Sequence, residues 1–339
     1  MRKKRIAWAA AAVAAAGIVM TGGLAGCGSS GSEGTEKTSS ADGGSADTEE
    51  SSAADETEET TAAESIAEET TAAKDKYQVG DTVEAGGMKI VYASSGVYTE
   101  ESQYLQPAEG NQYIYLDFVF ENVGNQDQFV SVYDFTGYAD DSAIEQYYQE
   151  DSLSATLSSG RTAEGKVIFE VPQDASVIDV EYQPSFLSSD KIVFAYEGEQ
   201  DSGYQPEASA EATEGAFNPG DTAESDTMII HYDSCETDTS YSEYFAPKDG
   251  YHYATLTFTF ENTGDQDLFV SASDFNAFAD GSALEMTYFR DDMLSATIST
   301  GRTATGTVTF EVPDGASVVE AEYLSNYWTS DHIVFSITE

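Results

Sequence analysis

The sequence has very little positive charge and almost no cysteine. Its 339 residues contain 14 Lys+Arg against 62 Asp+Glu, a formal net charge of -48, and two cysteines. A phosphate backbone repels such an acidic surface, so the composition excludes a nucleic-acid-binding protein. Two cysteines are too few for a disulfide framework or a four-thiolate metal site. Hydrophobic residues make up 40% of the chain, which is enough for packed cores, and the length allows two ordinary domains.

The first 27 residues have the layout of a secretory signal. A charged start at residues 2–5 precedes an apolar run over residues 6–21, which ends in small residues and is too short to span a bilayer comfortably. The next segment, Leu24-Ala25-Gly26-Cys27, resembles the bacterial lipobox, which is cut before an acylated cysteine. The pattern therefore predicts a lipoprotein signal peptide over residues 1–26.

The lipobox resemblance implies a lipid anchor on Cys27, made of thioether-linked diacylglycerol with acyl chains such as palmitate. Two acyl chains supply the double hydrophobic anchor that stable membrane attachment requires. We expect the mature chain on the outer face of a bacterial cell membrane, with Cys235 left without an intramolecular partner. The alternative is an ordinary cleaved signal with a chance cysteine, which would release the protein to the medium.

A polar, acidic segment follows Cys27 as far as residue 76. Residues 28–76 hold 14 acidic residues and three lysines, and Ile66 is the one large aliphatic side chain among them. Such a stretch cannot bury enough apolar surface to offset its ordering entropy. We therefore expect a disordered acidic tether over residues 27–76.

Beyond residue 76 the chain repeats itself. Phe-Glu-Asn-x-Gly occurs at 120–124 and 260–264, an offset of 140, and Phe-Glu-Val-Pro occurs at 169–172 and 310–313, an offset of 141. A repeat of this length predicts two copies of one domain, at residues 77–196 and 217–339. The polar residues 197–216 between them have the composition of a linker.

Hydrophobic side chains alternate with polar ones within each unit. In the second unit Ala254, Leu256, Phe258 and Phe260 are expected to face inward, with threonines between them facing out. No helical pattern of comparable strength competes. Short alternating strands separated by Gly, Asn, Asp and Pro turns predict an all-β chain of two antiparallel β-sandwiches.

Five motifs in a fixed order carry a family resemblance. They are Val-Gly-Asp-Thr at 79–82, Phe-Glu-Asn-x-Gly at 120–124, Asp-Phe at 134–135, and Gly-Arg-Thr at 160–162 leading into Phe-Glu-Val-Pro at 169–172. This order resembles a widespread immunoglobulin-like domain of Gram-positive lipoproteins, similar in fold to the mycobacterial secreted immunoprotective antigen. The resemblance implies an extracellular sandwich of a Gram-positive bacterium, with no general activity assigned to the family.

Aromatic residues near loops are candidate ligand contacts. The chain has 21 tyrosines, and Tyr147, Tyr148, Tyr288 and Phe289 fall in loops or at loop edges. Rigid amphipathic rings are favoured in protein contacts, and they also stack on sugars. The alternative is that these rings cover the ends of small sandwiches.

Arg161 and Arg302 occupy matched positions in a chain with few basic residues. Arginine binds carboxylates bidentately, so an outward-facing pair would mark a repeated anion site. The alternative is an acidic partner within the same domain. For Asn122 and Asn262 we expect a structural role, with the amide bonding its own turn and the following glycine at positive φ.

Clustered acidic residues make calcium binding a second hypothesis. The weak candidates are Asp140, Asp141, Glu145, Asp280 and Glu285, because hard cations take carboxylate ligands. No EF-hand loop pattern is present, and the Asp-Asp-Ser and Asp-Gly-Ser segments at 140–142 and 280–282 have the composition of hairpin turns. A solvated acidic edge is the alternative interpretation.

Nothing in the sequence predicts catalysis or a cofactor. The three histidines align with other residue types in the first unit: His231 with Val91, His252 with Gln112, and His332 with Lys191. No nucleophile with its base can be named. The sequence thus predicts a lipid-anchored binding or adhesion protein whose partners are the membrane and a protein or cell-envelope ligand. The alternatives are a calcium-dependent module and a spacer without a ligand.

Overall fold

A computed structural model describes residues 3–5, 74–100, 102–149, 152–184, 191–206, 211–239, 245–326 and 331–338. The apolar leader, Cys27 and most of the acidic tether lie outside these ranges. Within them the regular structure is β-strand with two short 3₁₀ turns, and no helix is long and apolar enough to cross a membrane. Both repeats belong to one compact unit. The all-β prediction is confirmed.

The first repeat is a sandwich of short antiparallel strands. After β1 (Lys3–Arg5), its strands are β2 (Thr82–Ala85), β3 (Met88–Tyr98), β4 (Asn111–Asn122), β5 (Gln128–Ser131), β6 (Phe135–Ala139), β7 (Ser142–Ala143), β8 (Glu145–Tyr147), β9 (Ser154–Leu157), β10 (Thr162–Pro172), β11 (Ile178–Tyr182), β12 (Ile192–Tyr196) and β13 (Gln200–Asp201). One sheet has the order β13-β3-β4-β10, with β2 beside β3 and β8 beside β10, and the other has the order β12-β11-β6-β7. Strand β13 lies in the segment predicted as linker and pairs with β3.

The second repeat follows the same plan. Its strands are β14 (Thr222–Glu224), β15 (Met228–Asp238), β16 (Tyr251–Asn262), β17 (Leu268–Ser271), β18 (Phe275–Ala279), β19 (Ser282–Ala283), β20 (Ser295–Ile298), β21 (Thr303–Pro313), β22 (Val319–Asn326) and β23 (Asp331–Ser336). One sheet has the order β1-β14-β15-β16-β21, and the facing strands have the order β19-β18-β22-β23. Strands β5 and β9, and likewise β17 and β20, form separate two-stranded ladders.

Each repeat has its own aromatic core between the sheets. The Phe118 ring centre lies 4.7 Å from that of Phe194 and 5.1 Å from that of Tyr92, and all three rings are fully buried. The second repeat has the same arrangement in Tyr232, Phe258 and Phe335. Burying one such ring stabilises the fold by about 1.5–3 kcal/mol. The alternation in the sequence thus identifies the core correctly.

Close strand packing explains one matched pair of glycines in the two repeats. A Cβ atom on Gly306 of β21 would lie 2.6 Å from Leu294 Cα, and one on Gly165 of β10 would lie 2.9 Å from Leu153 Cβ. Because the crossing segment approaches the backbone this closely, both repeats require glycine here.

Candidate functional site

The two repeats meet where β10 begins and where β18 turns into β19. The Thr162 N–H donates to Gly281 O at 3.0 Å, and Thr162 Oγ1 lies 3.0 Å from Ser282 Oγ. Phe278 of β18 is 1% exposed and packs with the core of the first repeat. The contact therefore combines a strand-type backbone hydrogen bond with a buried apolar side chain.

Arg161 of the first repeat is held by two glutamates of the second. Its Nε donates to Glu322 Oε1 at 2.9 Å, its Nη2 donates to Glu320 Oε2 at 2.8 Å, and its guanidinium carbon lies 4.7 Å from the Phe278 ring centre. The side chains of Arg161, Glu320 and Glu322 are 11%, 2% and 5% exposed. Burial pushes the pKa of Glu320 upward, but hydrogen bonds from Arg161 and Thr213 outweigh burial and hold that pKa below its ordinary value.

His332 makes a second polar contact between the repeats. Its Nε2 lies 2.9 Å from Asp127 Oδ1 in the first repeat, and its Nδ1 lies 3.4 Å from Glu322 Oε2 in its own. The equivalent position in the first repeat is Lys191. His332, which has no histidine equivalent in the first repeat, therefore takes part in the contact between the repeats.

A cleft of about 740 Å³ is lined by residues of both repeats. The exposed rings in its lining are Phe129 from the first repeat and Tyr251 and Tyr288 from the second, which are 63%, 38% and 65% exposed. Ligand sites commonly have volumes of about 300–1,000 Å³ and aromatic walls with a few polar groups. The cleft is therefore the candidate functional site.

Lys248 supplies a positive charge to the cleft. Its Nζ lies 2.9 Å from Glu285 Oε2 and 3.7 Å from Glu311 Oε2, and its backbone N–H donates to Glu311 Oε1 at 2.8 Å. All three residues line the cleft. Exposed aromatic rings can stack on a ligand, and an ion pair beside them can orient a polar group of that ligand, so the cleft has the chemistry to bind a peptide or a glycan.

Residues 77–193 and 217–333 both match one family model, described as a domain of unknown function, DUF4352. The chain belongs to the DUF4352 family. The two matches cover most of both β-sandwiches, so the predicted tandem duplication is confirmed. No curated protein matches the sequence.

Solved structures similar to the DUF4352 repeats include several bacterial proteins. A candidate lipoprotein (ycdA) from Bacillus subtilis is 16% identical with a TM-score of 0.29, and the match covers 34% of this chain and 38% of that chain. A β-sandwich protein from Clostridium difficile is 17% identical with a TM-score of 0.27, covering 38% and 98% of the two chains. The secreted protein MPT63 of Mycobacterium tuberculosis is 13% identical with a TM-score of 0.29, covering 36% and 96%.

The four predicted aromatic contacts divide into two packed rings and two exposed ones. Tyr147 ends strand β8, its ring stacks on Tyr113 with centres 4.3 Å apart, and its hydroxyl donates to Glu100 Oε2 at 2.7 Å. Phe289 packs against Phe245 and Tyr253 at 5.1 and 5.0 Å.

Tyr148 and Tyr288 are the exposed members of the predicted set, at 50% and 65%. Tyr148 lies beside Tyr133, which is 76% exposed, with ring centres 5.3 Å apart. Tyr288 lines the cleft, and Tyr148 is not among the residues lining it. Sequence reasoning missed Phe129, although an aromatic residue that recurs as Phe269 outside the core pattern was the available signal.

The two predicted arginines have different environments. Arg161 is enclosed by Glu320 and Glu322, so its acidic partners lie in the other DUF4352 repeat and not in its own domain. Arg302 is exposed, and no described residue forms an ion pair with it. The pair therefore does not form two equivalent anion sites.

The calcium candidates have structural roles where the structure describes their contacts. Asp140 and Asp280 both have positive φ in two-residue hairpin loops, and the Asp140 carboxylate accepts the backbone N–H groups of Ser176 and Val177 at 3.0–3.2 Å. Glu285 pairs with Lys248, while Asp141 and Glu145 are exposed. Among the described residues no group of three metal-ligating side chains comes together. The hairpin interpretation of residues 140–142 is confirmed.

Asn122 holds the end of β4 in place, as Asn262 does for β16. Asn122 is fully buried, its Nδ2 donates to Gln126 O and Leu157 O at 2.8 and 2.7 Å, and its Oδ1 accepts the Gly124 N–H at 2.9 Å. The structural role is confirmed. The expected positive φ of Gly124 is wrong, because this glycine instead allows close approach, with a Cβ there 3.3 Å from Asn122 Oδ1.

Proposed function

We propose that this DUF4352 protein is a non-enzymatic binding protein on the outer face of the cell membrane, which captures an extracellular protein or a cell-envelope component in the cleft between its repeats. The observation that carries the proposal is the cleft itself, where exposed rings from both repeats, Phe129 and Tyr288, line one cavity beside an ion pair. Contiguous exposed apolar patches rimmed by polar groups commonly mark interaction sites.

A lipid anchor on Cys27 completes the proposal. The lipobox supports it, and the acidic segment after Cys27 would hold the repeats away from the bilayer because its charges repel one another. Mass spectrometry of the mature N-terminus tests the anchor, with diacylated Cys27 as the expected first residue. An unmodified N-terminus at another position would refute it.

Recognition without chemistry fits the distribution of reactive groups. The histidines do not repeat, and burial raises the pKa of the Cys235 thiol, which lowers its reactivity as a nucleophile. The packing of Tyr147 and Phe289 favours a second candidate, a surface spacer without a ligand, because rings committed to the fold are unavailable to a partner.

A pull-down from cell-wall and host fractions distinguishes binder from spacer. The bait is the full chain, compared with the double variant Phe129→Ala/Tyr288→Ala. The matched control is Phe269→Ala, an equally exposed ring (61%) at the equivalent position of the second repeat, outside the cleft. The proposal expects partners to be lost from the double variant alone. Equal recovery by all three proteins would refute the cleft as the binding site.

A further inference from the structure

The contact between the repeats uses two different surfaces, and each repeat carries a version of both. We call the first the arginine end: Arg161 and Thr162 in the first repeat, Arg302 and Thr303 in the second. We call the other the acidic face: Ser282, Glu320 and Glu322 in the second repeat, with equivalents Ser142, Asp179 and Glu181 in the first. Within one chain the arginine end of the first repeat contacts the acidic face of the second.

The arginine end of the second repeat is left exposed. Arg302 and Thr303 are both exposed, whereas Arg161 and Thr162 are half-buried by the second repeat. The local backbone is the same in the two copies, since the N–H of each arginine donates three residues back, to Ser158 O or Ser299 O. The backbone of Arg302 is therefore placed as that of Arg161 is, and its exposed side chain forms no ion pair with a described residue.

The acidic face of the first repeat is covered by exposed lysines and is itself partly exposed, with the Asp179 and Glu181 side chains 23% and 26% exposed. Asp179 pairs with Lys76 and Glu181 pairs with Lys191, and these lysine side chains are 47% and 43% exposed. Exposed lysine pairs contribute little to stability, so a bidentate arginine can replace them. Ser142, the equivalent of the bridging Ser282, is exposed.

We propose that a second copy of this chain docks head to tail, with its Arg302 end on the Asp179 and Glu181 face of its neighbour. An interface between two different surfaces does not close on itself in a dimer, so each added copy presents the same free ends. The proposed contact between chains uses the same pair of surfaces as the contact between the two repeats within one chain.

Two features make the contact between chains weaker than the contact within the chain. Asp179 is one methylene shorter than Glu320, and Tyr138 stands where Phe278 packs. The net charge of -48 also repels a second copy. At physiological salt that repulsion is screened beyond about 8 Å, whereas the short-range ion pairs persist.

Cross-linking of the full chain in intact cells tests the proposal. Thr303→Cys combined with Ser142→Cys places thiols where a docked neighbour would bring them together, and a short bis-maleimide should produce dimers, trimers and higher multimers. The control is Thr162→Cys with Ser282→Cys, whose hydroxyl oxygens, Oγ1 and Oγ, lie 3.0 Å apart within one chain and which should form an intrachain link without multimers. An intrachain link in the control, with no multimers from the test pair, would overturn the proposal.

Swapping the charges of the two surfaces tests whether the multimers come from specific docking or from random collision. Adding Arg302→Glu to the test pair should reduce the multimers at least about tenfold, since it replaces an attractive charge pair with a repulsive one. Adding Glu181→Arg as well should restore them. Multimers that survive Arg302→Glu, or that Glu181→Arg fails to restore, would show that the assigned surfaces are wrong.

Discussion

Arg161→Ala should loosen the contact between the two DUF4352 repeats strongly while leaving each sandwich folded. The substitution leaves the Glu320 and Glu322 carboxylates, 2% and 5% exposed, without their guanidinium partner. Removing one partner from a buried ion pair typically costs about 3–5 kcal/mol, because the remaining charge stays desolvated. If the repeats separate, water hydrates the two glutamates. The loss in stability of the contact therefore cannot exceed the free energy of separating the repeats.

Hydrogen exchange at the Thr162 amide measures this loss directly, since its N–H donates to Gly281 O across the contact. A loss of about 3 kcal/mol speeds exchange roughly 150-fold, at 1.36 kcal/mol per factor of ten. Arg302→Ala is the matched control, because Arg302 occupies the same position in the other repeat and is exposed. Equal exchange of the Thr162 amide in the two variants would refute the assigned role of Arg161.

Three further predictions concern stability. Burial, and secondarily Glu164, raises the pKa of Asp117 from 3.8 to about 6, so the stability present below pH 4 is lost as the pH rises through 6. Asp117→Asn should therefore raise the free energy of unfolding by up to about 3 kcal/mol at pH 7.5 and change it little at pH 3.5. A urea titration that shows the same gain at both pH values would contradict this. Asn122→Ala removes three hydrogen bonds and should cost about 3 kcal/mol in the same titration, while a loss under 1 kcal/mol would count against its buried role. Millimolar calcium should leave the melting temperature of the protein unchanged, and a rise that Asp140→Ala abolishes would revive the calcium hypothesis.

The fold could be predicted from the sequence because the relevant information is local and occurs twice. Alternation over residues 254–260 identifies the core-facing side chains of β16, and the positions at offset 140 identify those of β4. The side chains of Thr255, Asp117 and Val119 lie on the opposite face but are also buried, at 4%, 9% and 2% exposed, which the alternation did not predict. Loop residues are predictable for the same reason, since Asp-Asp and Asp-Gly accept the positive φ of a two-residue hairpin.

The contact between the repeats could not be predicted, because the acidic partners of Arg161 are about 160 residues away and belong to the other domain. A pattern within one domain does not determine which acids Arg161 meets. The difference between Phe278 and its equivalent Tyr138 was the available signal, because a phenylalanine at a position where the other repeat has a tyrosine indicates that this position is buried in the second repeat.

Strand geometry also explains why some aromatic candidates are packed and others are exposed. Tyr147 and Tyr148 are neighbours at the end of β8, and side chains alternate between faces along a strand, so only one of them is strongly exposed. Treating the segment as loop concealed this alternation. The cleft brings together Phe129 and Tyr288, which are 159 positions apart, and no spacing rule within one repeat relates them.

Photo-cross-linking in living cells tests most directly whether the cleft binds a partner. A photoreactive phenylalanine analogue placed at position 288 lies in the cleft, and the same analogue at position 269 lies on an exposed strand outside it. We predict a discrete covalent adduct with an envelope or host component from position 288 and none from position 269. No adduct from position 288, or the same adducts from both positions, would contradict a binding role for the cleft.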